Sequence, residues 1–288
     1  MEVTMTNSKS TKSEDQSDLQ ESYSHGYDSK FVDYLEGRKI TSDAAFFLPN
    51  LKAGMSLLDC GCGPGSITID LAEFLAPGVV TGIDIASNQI EIARARASEK
   101  GVSNLDLKVG NIYHLPFGDN SFDAAFAHTV LQHLREPVKA LKEIQRVLKP
   151  GGVIGVREED TDGVIFSPSN TRLYDCWKLY IRSWRYNGGD PFIARRHRGV
   201  LHEAGFTNVK ASASVETYGT PEATKEFGEV MARYMSSHLQ TAINQGWIDP
   251  QKVDEFAHEW RSWGRHPDAF LAILRCEAVG WKKPPKSY

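Results

Sequence analysis

One carboxylate and three glycines stand where an apolar run breaks into a loop. Residues 57–65 read Leu-Leu-Asp-Cys-Gly-Cys-Gly-Pro-Gly, placing glycine at Gly61, Gly63 and Gly65. Glycine at a strand's end permits a sharp turn and lets bare backbone approach a ligand that a Cβ would obstruct. Asp59 narrows the choice of ligand. A loop that cradles pyrophosphate at a helix N-terminus would be opposed by a carboxylate two residues before its first glycine. A ligand that has no phosphate but carries an ammonium and a sulfonium gains from that acid, directly or through a water. S-adenosylmethionine fits this description.

Further groups fall into line behind the loop. The run Val79-Val80-Thr81-Gly82-Ile83 ends at Asp84, nineteen residues after Gly65, close to the roughly 20-residue spacing that brings a carboxylate to a ribose diol. The alternating run 105–109 stops at Gly110-Asn111-Ile112, where an amide can accept from an adenine amino group and Ile112 can pack on the ring. A fourth run, 122–127, ends at His128, and a fifth, 152–156, leads to Glu158, Glu159 and Asp160. His128 is either a base for the acceptor's proton or a cofactor-contact or structural residue. One carboxylate among Glu158, Glu159 and Asp160 either orients an acceptor hydroxyl or amine, or the three belong to a solvated loop. Helical patterns at 87–100 and 138–148 separate these runs. The alternation of strand and helix predicts a parallel, doubly wound α/β sheet.

At this point the chain resembles the class I S-adenosylmethionine-dependent methyltransferases, and within them the ubiquinone/menaquinone C-methyltransferase-like branch. Five anchors carry the resemblance: LDCGCGPG at 58–65, GID at 82–84, LPF at 115–117, SFD at 121–123 and VLKPGG at 147–152. A lone glycine loop would be weak evidence; five in order are not. The resemblance implies a Rossmann-like seven-stranded sheet of order 3-2-1-4-5-7-6, its seventh strand antiparallel, with helical cap insertions. Residues 209–217 and 270–276 are the candidates for the last two strands. It also implies cofactor contacts from Tyr23, Tyr27, Asp59, Gly61, Cys62, Gly63, Asp84, Ile85, Gln89, Asn111, Ile112 and His128. Asn111 departs from the pattern, since many relatives carry aspartate there, and the missing charge weakens adenine selectivity.

Composition bounds the rest. The chain has 288 residues, 41% of them hydrophobic, and the pattern favours one methyltransferase domain over residues 22–288 behind a polar tail, 1–21, that cannot repay the entropy of ordering. Within it we expect lid helices at 22–50, a cofactor-binding core at 51–158 and substrate-cap segments at 159–190 and 221–267. The tail lacks the apolar region of a signal peptide, and the chain has no span long enough to cross a membrane, which makes a cytoplasmic protein the default expectation. Four cysteines in no disulfide or zinc spacing point to reduced thiols and no metal. A net charge of −4 disfavours nucleic acid. The basic stretch Arg195-Arg196-His197-Arg198 is either a solvated helical face or an anion site. Oligomeric state leaves no sign.

The acceptor must sit outside the carboxyl ends of the strands. The segments flanking that edge are rich in aromatics and methionine: Phe166, Trp177, Tyr180, Trp184 and Tyr186 in one, and Met231, Tyr234, Met235, Trp247, Phe256, Trp260 and Trp263 in another. They form either an enclosed apolar pocket for a small ring-bearing or prenylated molecule or ordinary core packing. Tyr23, His25 and Tyr27 either close over a sulfonium as a lid or pack passively. The expected activity is therefore methyl transfer to carbon, oxygen or nitrogen of a small, largely apolar metabolite. Two rivals stand beside it: a non-methylating protein that binds the same cofactor, and an NAD-dependent oxidoreductase, disfavoured by Asp59.

Overall fold

The computed structural model describes residues 37–284. Tyr23, His25, Tyr27 and the polar tail lie outside the described residues. The strands are β1 (Leu57–Cys60), β2 (Val80–Asp84), β3 (Leu105–Val109), β4 (Phe122–His128), β5 (Leu148–Ser167), β6 (Thr207–Tyr218) and β7 (Phe270–Trp281). They form one seven-stranded sheet of order β3-β2-β1-β4-β5-β7-β6, as expected. β1 to β5 run parallel, and β7 lies antiparallel between β5 and β6.

The central strands are buried on both faces, which is why they read as unbroken apolar runs. After a helical turn α1 (Ile40–Asp43), α2 (Ser66–Leu75) follows β1, α3 (Ser87–Glu99) follows β2 and α4 (Pro137–Val147) follows β4. α4 starts with proline at its first position, where no intrahelical N–H bond is lost, and buries Ala140, Leu141, Ile144 and Val147. Its core includes Ile154 and Val156 of β5. The opposite face packs Phe47, Leu71 and Phe126.

β5 departs from the expectation. It continues to Ser167, so residues 160–167, read above as the start of a cap, extend the sheet instead. The run Glu158-Glu159-Asp160-Thr161-Asp162-Gly163 breaks the apolar alternation by which a strand is recognised, yet beyond an irregularity between Glu159 and Val164 the strand resumes against Leu271–Ile273 of β7. β7 is likewise longer than expected, reaching Trp281.

The remaining helices are α5 (Thr171–Tyr186), α6 (His197–Glu203), α7 (Pro221–His238), α8 (Gln240–Asn244) and α9 (Pro250–Gly264). α5, α7 and α9 make a cap on the extended ends of β5 and β7. The cap has its own core, in which Phe166, Trp184, Met231, Met235, Phe256, Trp260 and Trp263 are buried together. Most of the aromatics that could have lined a pocket are therefore packing. α7 and α9 approach closely at Gly228 and Gly264, where a Cβ on either would fall 2.6 Å from a backbone carbonyl oxygen of the facing helix. The basic stretch is neutralised locally, Arg195 by Asp160 and Asp162 and Arg196 by Asp190. None of the four cysteines is in a disulfide.

Candidate active site

The loop after β1 is built almost wholly from backbone. Gly61, Gly63 and Gly65 have φ of +75°, +52° and +82°, conformations that cost other residues about 1–2 kcal/mol. The N–H groups of Gly61 and Cys62 both donate to the Ile83 carbonyl, at 2.8 and 2.9 Å, tying the loop to the end of β2. The glycines differ in what surrounds them. A Cβ on Gly61 would lie 2.5 Å from Val130 Cγ2 and one on Gly65 would lie 2.9 Å from Ala93 Cβ, whereas a Cβ on Gly63 would meet nothing within 4 Å. Gly63 alone faces open space.

Asp84 closes the loop. Its Oδ2 accepts from Gly63 N at 2.9 Å and its Oδ1 from Ala86 N at 2.9 Å. Each oxygen keeps a lone pair for a further donor. Asp59 is 3% exposed and takes a 2.6 Å hydrogen bond from the Thr68 hydroxyl. Burial raises its pKa to about 7, Thr68 opposes the rise, and the nearby charge of Asp84 adds to it. Asp84 is also raised, by burial. Two acids that destabilise each other's charge favour a cation between or beside them.

Around this pair, Ile85 is 50% exposed, and Gln89 is buried with neither amide atom hydrogen-bonded among the described residues. Cys62 is buried against Gly82, and burial pushes its thiol pKa well up. Asn111 Oδ1 accepts from Tyr113 N at 2.9 Å, so the amide presents its NH₂ outward as the readier group. Ile112 is partly buried against the core.

The ends of β4 and β5 are built from side chains. His128 is buried, with Nδ1 2.8 Å from Thr129 Oγ1 and Nε2 2.9 Å from Arg157 Nη1. Arg157 can only donate, so Nε2 accepts and the proton sits on Nδ1. Asp43 Oδ1 lies 3.0 Å from Arg157 Nη1 and Glu277 Oε1 lies 3.3 Å from Arg157 Nε. Burial first, then the charge of Arg38, push the His128 pKa down to about 3. Asp43 Oδ1, 3.4 Å from Nε2, opposes that fall; of the two alternatives read from the sequence, an imidazole with both nitrogens engaged favours the structural one over a base.

The acids read as substrate-orienting are committed too. Glu159 pairs with Arg275 at 3.2 Å. Asp160, almost wholly buried, is gripped by both Nε and Nη2 of Arg195. A cavity of about 530 Å³ opens on the Arg157 and Arg275 network, walled by residues 37–43, the β6 edge and α7. The floor of that cavity is paired charge by charge.

The neighbouring Glu158 behaves differently. Ile154, Val156 and Glu158 alternate with Gly155, Arg157 and Glu159, so Glu158 points to the α4 side. It is 0% exposed, and its Oε1 accepts from Val130 N and Leu131 N at 2.9 and 2.8 Å. Its Oε2 has no partner among the described residues. The strand's two-residue period, extended past Val156, is the sequence signal that separates it from Glu159. Thr129, just before the bonded turn, holds φ at +60°, a strained value for a β-branched residue.

Comparison with known proteins agrees with this geometry. Residues 51–184 match the family model described as a methyltransferase domain. The chain is 31% identical over 282 residues to "Probable methyltransferase ltbC" of Aspergillus luteorubrus, covering 90% of this chain and 97% of that protein. The chain belongs to the class I S-adenosylmethionine-dependent methyltransferases. The methyltransferase is also 31% identical over 181 residues to a demethylmenaquinone methyltransferase of Bacillus velezensis, covering 58% of this chain and 78% of that protein. Among solved structures, the YcgJ protein of Bacillus subtilis shares its fold with a TM-score of 0.57 at 17% identity, over 84% of this chain and 99% of that one. Among the described residues of the methyltransferase, no helix is long and apolar enough to cross a membrane.

Proposed function

We propose that this methyltransferase moves the methyl group of S-adenosylmethionine to carbon, oxygen or nitrogen of a small, largely apolar metabolite held between the carboxyl ends of β4 and β5 and the helical cap. The observation that carries the reading is Asp84 Oδ2 hydrogen-bonded at 2.9 Å to Gly63 N, which puts a carboxylate and the one open glycine at the same strand ends. Asp84 turns its remaining lone pairs to the ribose hydroxyls, and the backbone at Gly63 admits the amino-acid end of the cofactor. Asp59 compensates the positive charge of that end. The unpaired amide of Gln89 and the NH₂ of Asn111 supply polar contacts, Asn111 meeting an adenine ring nitrogen rather than the exocyclic amine expected from sequence, while Ile85 and Ile112 flank the ring. Cys62 lines the loop.

Bound cofactor supplies a methyl carbon already activated by the sulfonium. The protein's task is to align the acceptor and exclude water. His128 serves by fixing the strained turn at Thr129 through its 2.8 Å contact, not by taking a proton. Glu159 and Asp160 hold the edge of the cap through their arginine partners. Tyr180 of α5 meets Tyr234 and His238 of α7 edge-on, and those two stack on each other; this cluster provides aromatic faces for an apolar acceptor with a polar margin. The test is incubation with methyl-labelled S-adenosylmethionine and a small-molecule extract of the source organism. Label should pass to a low-molecular-weight product; label that stays in the donor despite cofactor binding would refute methyl transfer.

A further inference from the structure

Two oxygen atoms at the carboxyl edge of β4 and β5 are buried with no donor to meet them among the described residues: Glu158 Oε2 and Gln132 Oε1. They belong to one small structure. Glu158 Oε1 is fixed by the N–H groups of Val130 and Leu131 at 2.9 and 2.8 Å, and Gln132 is the next residue along that turn. A wholly buried carboxylate oxygen with no hydrogen bond costs far more than an apolar side chain in its place. With Glu158 ionised both atoms are acceptors, so a donor is what the deprotonated site lacks; protonated, Oε2 is itself the donor.

We propose that Glu158 is the catalytic base of the methyltransferase, and that the methyl acceptor reacts through an O–H or N–H group held by Glu158 Oε2 and Gln132 Oε1. The inference rests on the reading of the chain as a methyl-transferring enzyme and narrows its acceptor atom to oxygen or nitrogen. In the reaction a lone pair of the acceptor atom forms the new bond to the methyl carbon. The carbon–sulfur bond breaks with its electron pair going to sulfur, which loses its charge. The acceptor's proton passes to the Glu158 carboxylate and then to solvent.

The surroundings suit that task. Burial, the largest effect, raises the Glu158 pKa to about 8, and the backbone N–H groups of the turn and the charge of Arg38 hold it from going higher. The charge of Arg38 acts on it from the segment before α1. From the turn after β4 it faces backbone N–H groups and, beyond Gln132, the buried His133, whose pKa burial lowers to about 3 so that it stays uncharged. A carboxyl group that titrates near neutrality is poised to exchange a proton, and the active form is the deprotonated one.

Glu158→Gln tests the proposal, because glutamine keeps an oxygen for the two N–H groups of the turn but cannot take a proton. The variant should keep its melting temperature and its affinity for S-adenosylhomocysteine, while methyl transfer from labelled donor into the small-molecule extract falls about a hundred-fold or more. Wild-type turnover should rise with pH through about 8, and that rise should vanish in the variant. Treating the labelled product with hot hydriodic acid should release the label as methyl iodide, as O- and N-methyl groups do and C-methyl groups do not. In the resting protein, the ¹³C carboxyl resonance lost in Glu158→Gln should titrate far above the ordinary glutamate range. A variant with wild-type turnover, a resonance titrating in the ordinary range, or label that resists hydriodic acid overturns the assignment. Wild-type protein that binds S-adenosylhomocysteine yet labels nothing refutes methyl transfer itself, which is a separate failure.

Discussion

The cofactor end of the sheet and the acceptor end solve the same problem, presenting polar groups at a strand's edge, by different means. After β1 and β2 the ligand surface is a loop of left-handed glycines bonded through backbone to Ile83 and Asp84. After β4 and β5 it is side chains locked by distant side chains, as His128 is by Arg157 and Asp43, and Asp160 by Arg195. A backbone device is written in consecutive residues and tolerates little change at those residues. A side-chain network is written across the chain and leaves its unused groups, such as Glu158 Oε2, as the informative ones. The two ends touch where Val130 fills the space a Cβ on Gly61 would need.

If the cap is an independent packing unit serving only the acceptor end, the largest effect comes from its centre. Trp260 is wholly buried, and Trp260→Ala should cost about 3–5 kcal/mol of stability. Denaturant unfolding measures the loss, and calorimetry on the protein that remains folded should show S-adenosylhomocysteine affinity unchanged. A lost affinity would mean the two ends are not separable.

The glycine loop sharpens the contrast within the cofactor end. Gly61→Ala must displace Val130 and should lower stability by more than the about 1–2 kcal/mol of a left-handed alanine. Gly63→Ala meets no neighbour, so it should cost the fold about 1 kcal/mol and express itself as lost cofactor affinity. Thermal melting and titration on the same pair of variants separate the outcomes; equal melting losses would place Gly63 in a packed environment.

The smallest effect concerns pH. His197 is buried, with neither ring nitrogen hydrogen-bonded among the described residues, and burial lowers its pKa to about 3. A depressed pKa contributes stability above the unfolded value of about 6.5 that is lost as pH falls toward the folded one. His197→Met should therefore gain on the wild type as pH drops from 7 to 5, by about 1–2 kcal/mol. His128 and His133, each lowered to about 3, and His238, lowered to about 4, keep the same acid sensitivity in both proteins. A pH-independent difference between the two would show that His197 is not held neutral.

The same contrast explains what could be read from the sequence. The strand–helix alternation and the Gly61–Gly65 loop were legible because strand runs and glycine spacing are local; the sheet order came only through the family resemblance. The far part of β5 was not, because six polar or glycine residues interrupt its pattern while β7, more than a hundred residues later, supplies the pairing. For His128 the sequence left a base and a cofactor-contact or structural residue both open, because the groups that weigh on the choice lie elsewhere in the chain. Burial and the charge of Arg38 lower its pKa most and Arg157, 29 residues away, adds to them, while Asp43, which meets that arginine across 114 residues, pulls the other way. The aromatic segments were equally ambiguous, since residues at helical spacing look alike whether they line a cavity or fill a core. Their burial against one another decided it.

The central claim is that the loop between Gly61 and Asp84 holds S-adenosylmethionine, and calorimetric titration with S-adenosylhomocysteine tests it most directly. Wild-type protein should bind one equivalent, and Asp84→Ala should weaken binding by about 2–3 kcal/mol through loss of charge-assisted hydrogen bonds to the ribose. Wild-type protein that gives no binding heat, or an Asp84→Ala variant with unchanged affinity, would contradict the account.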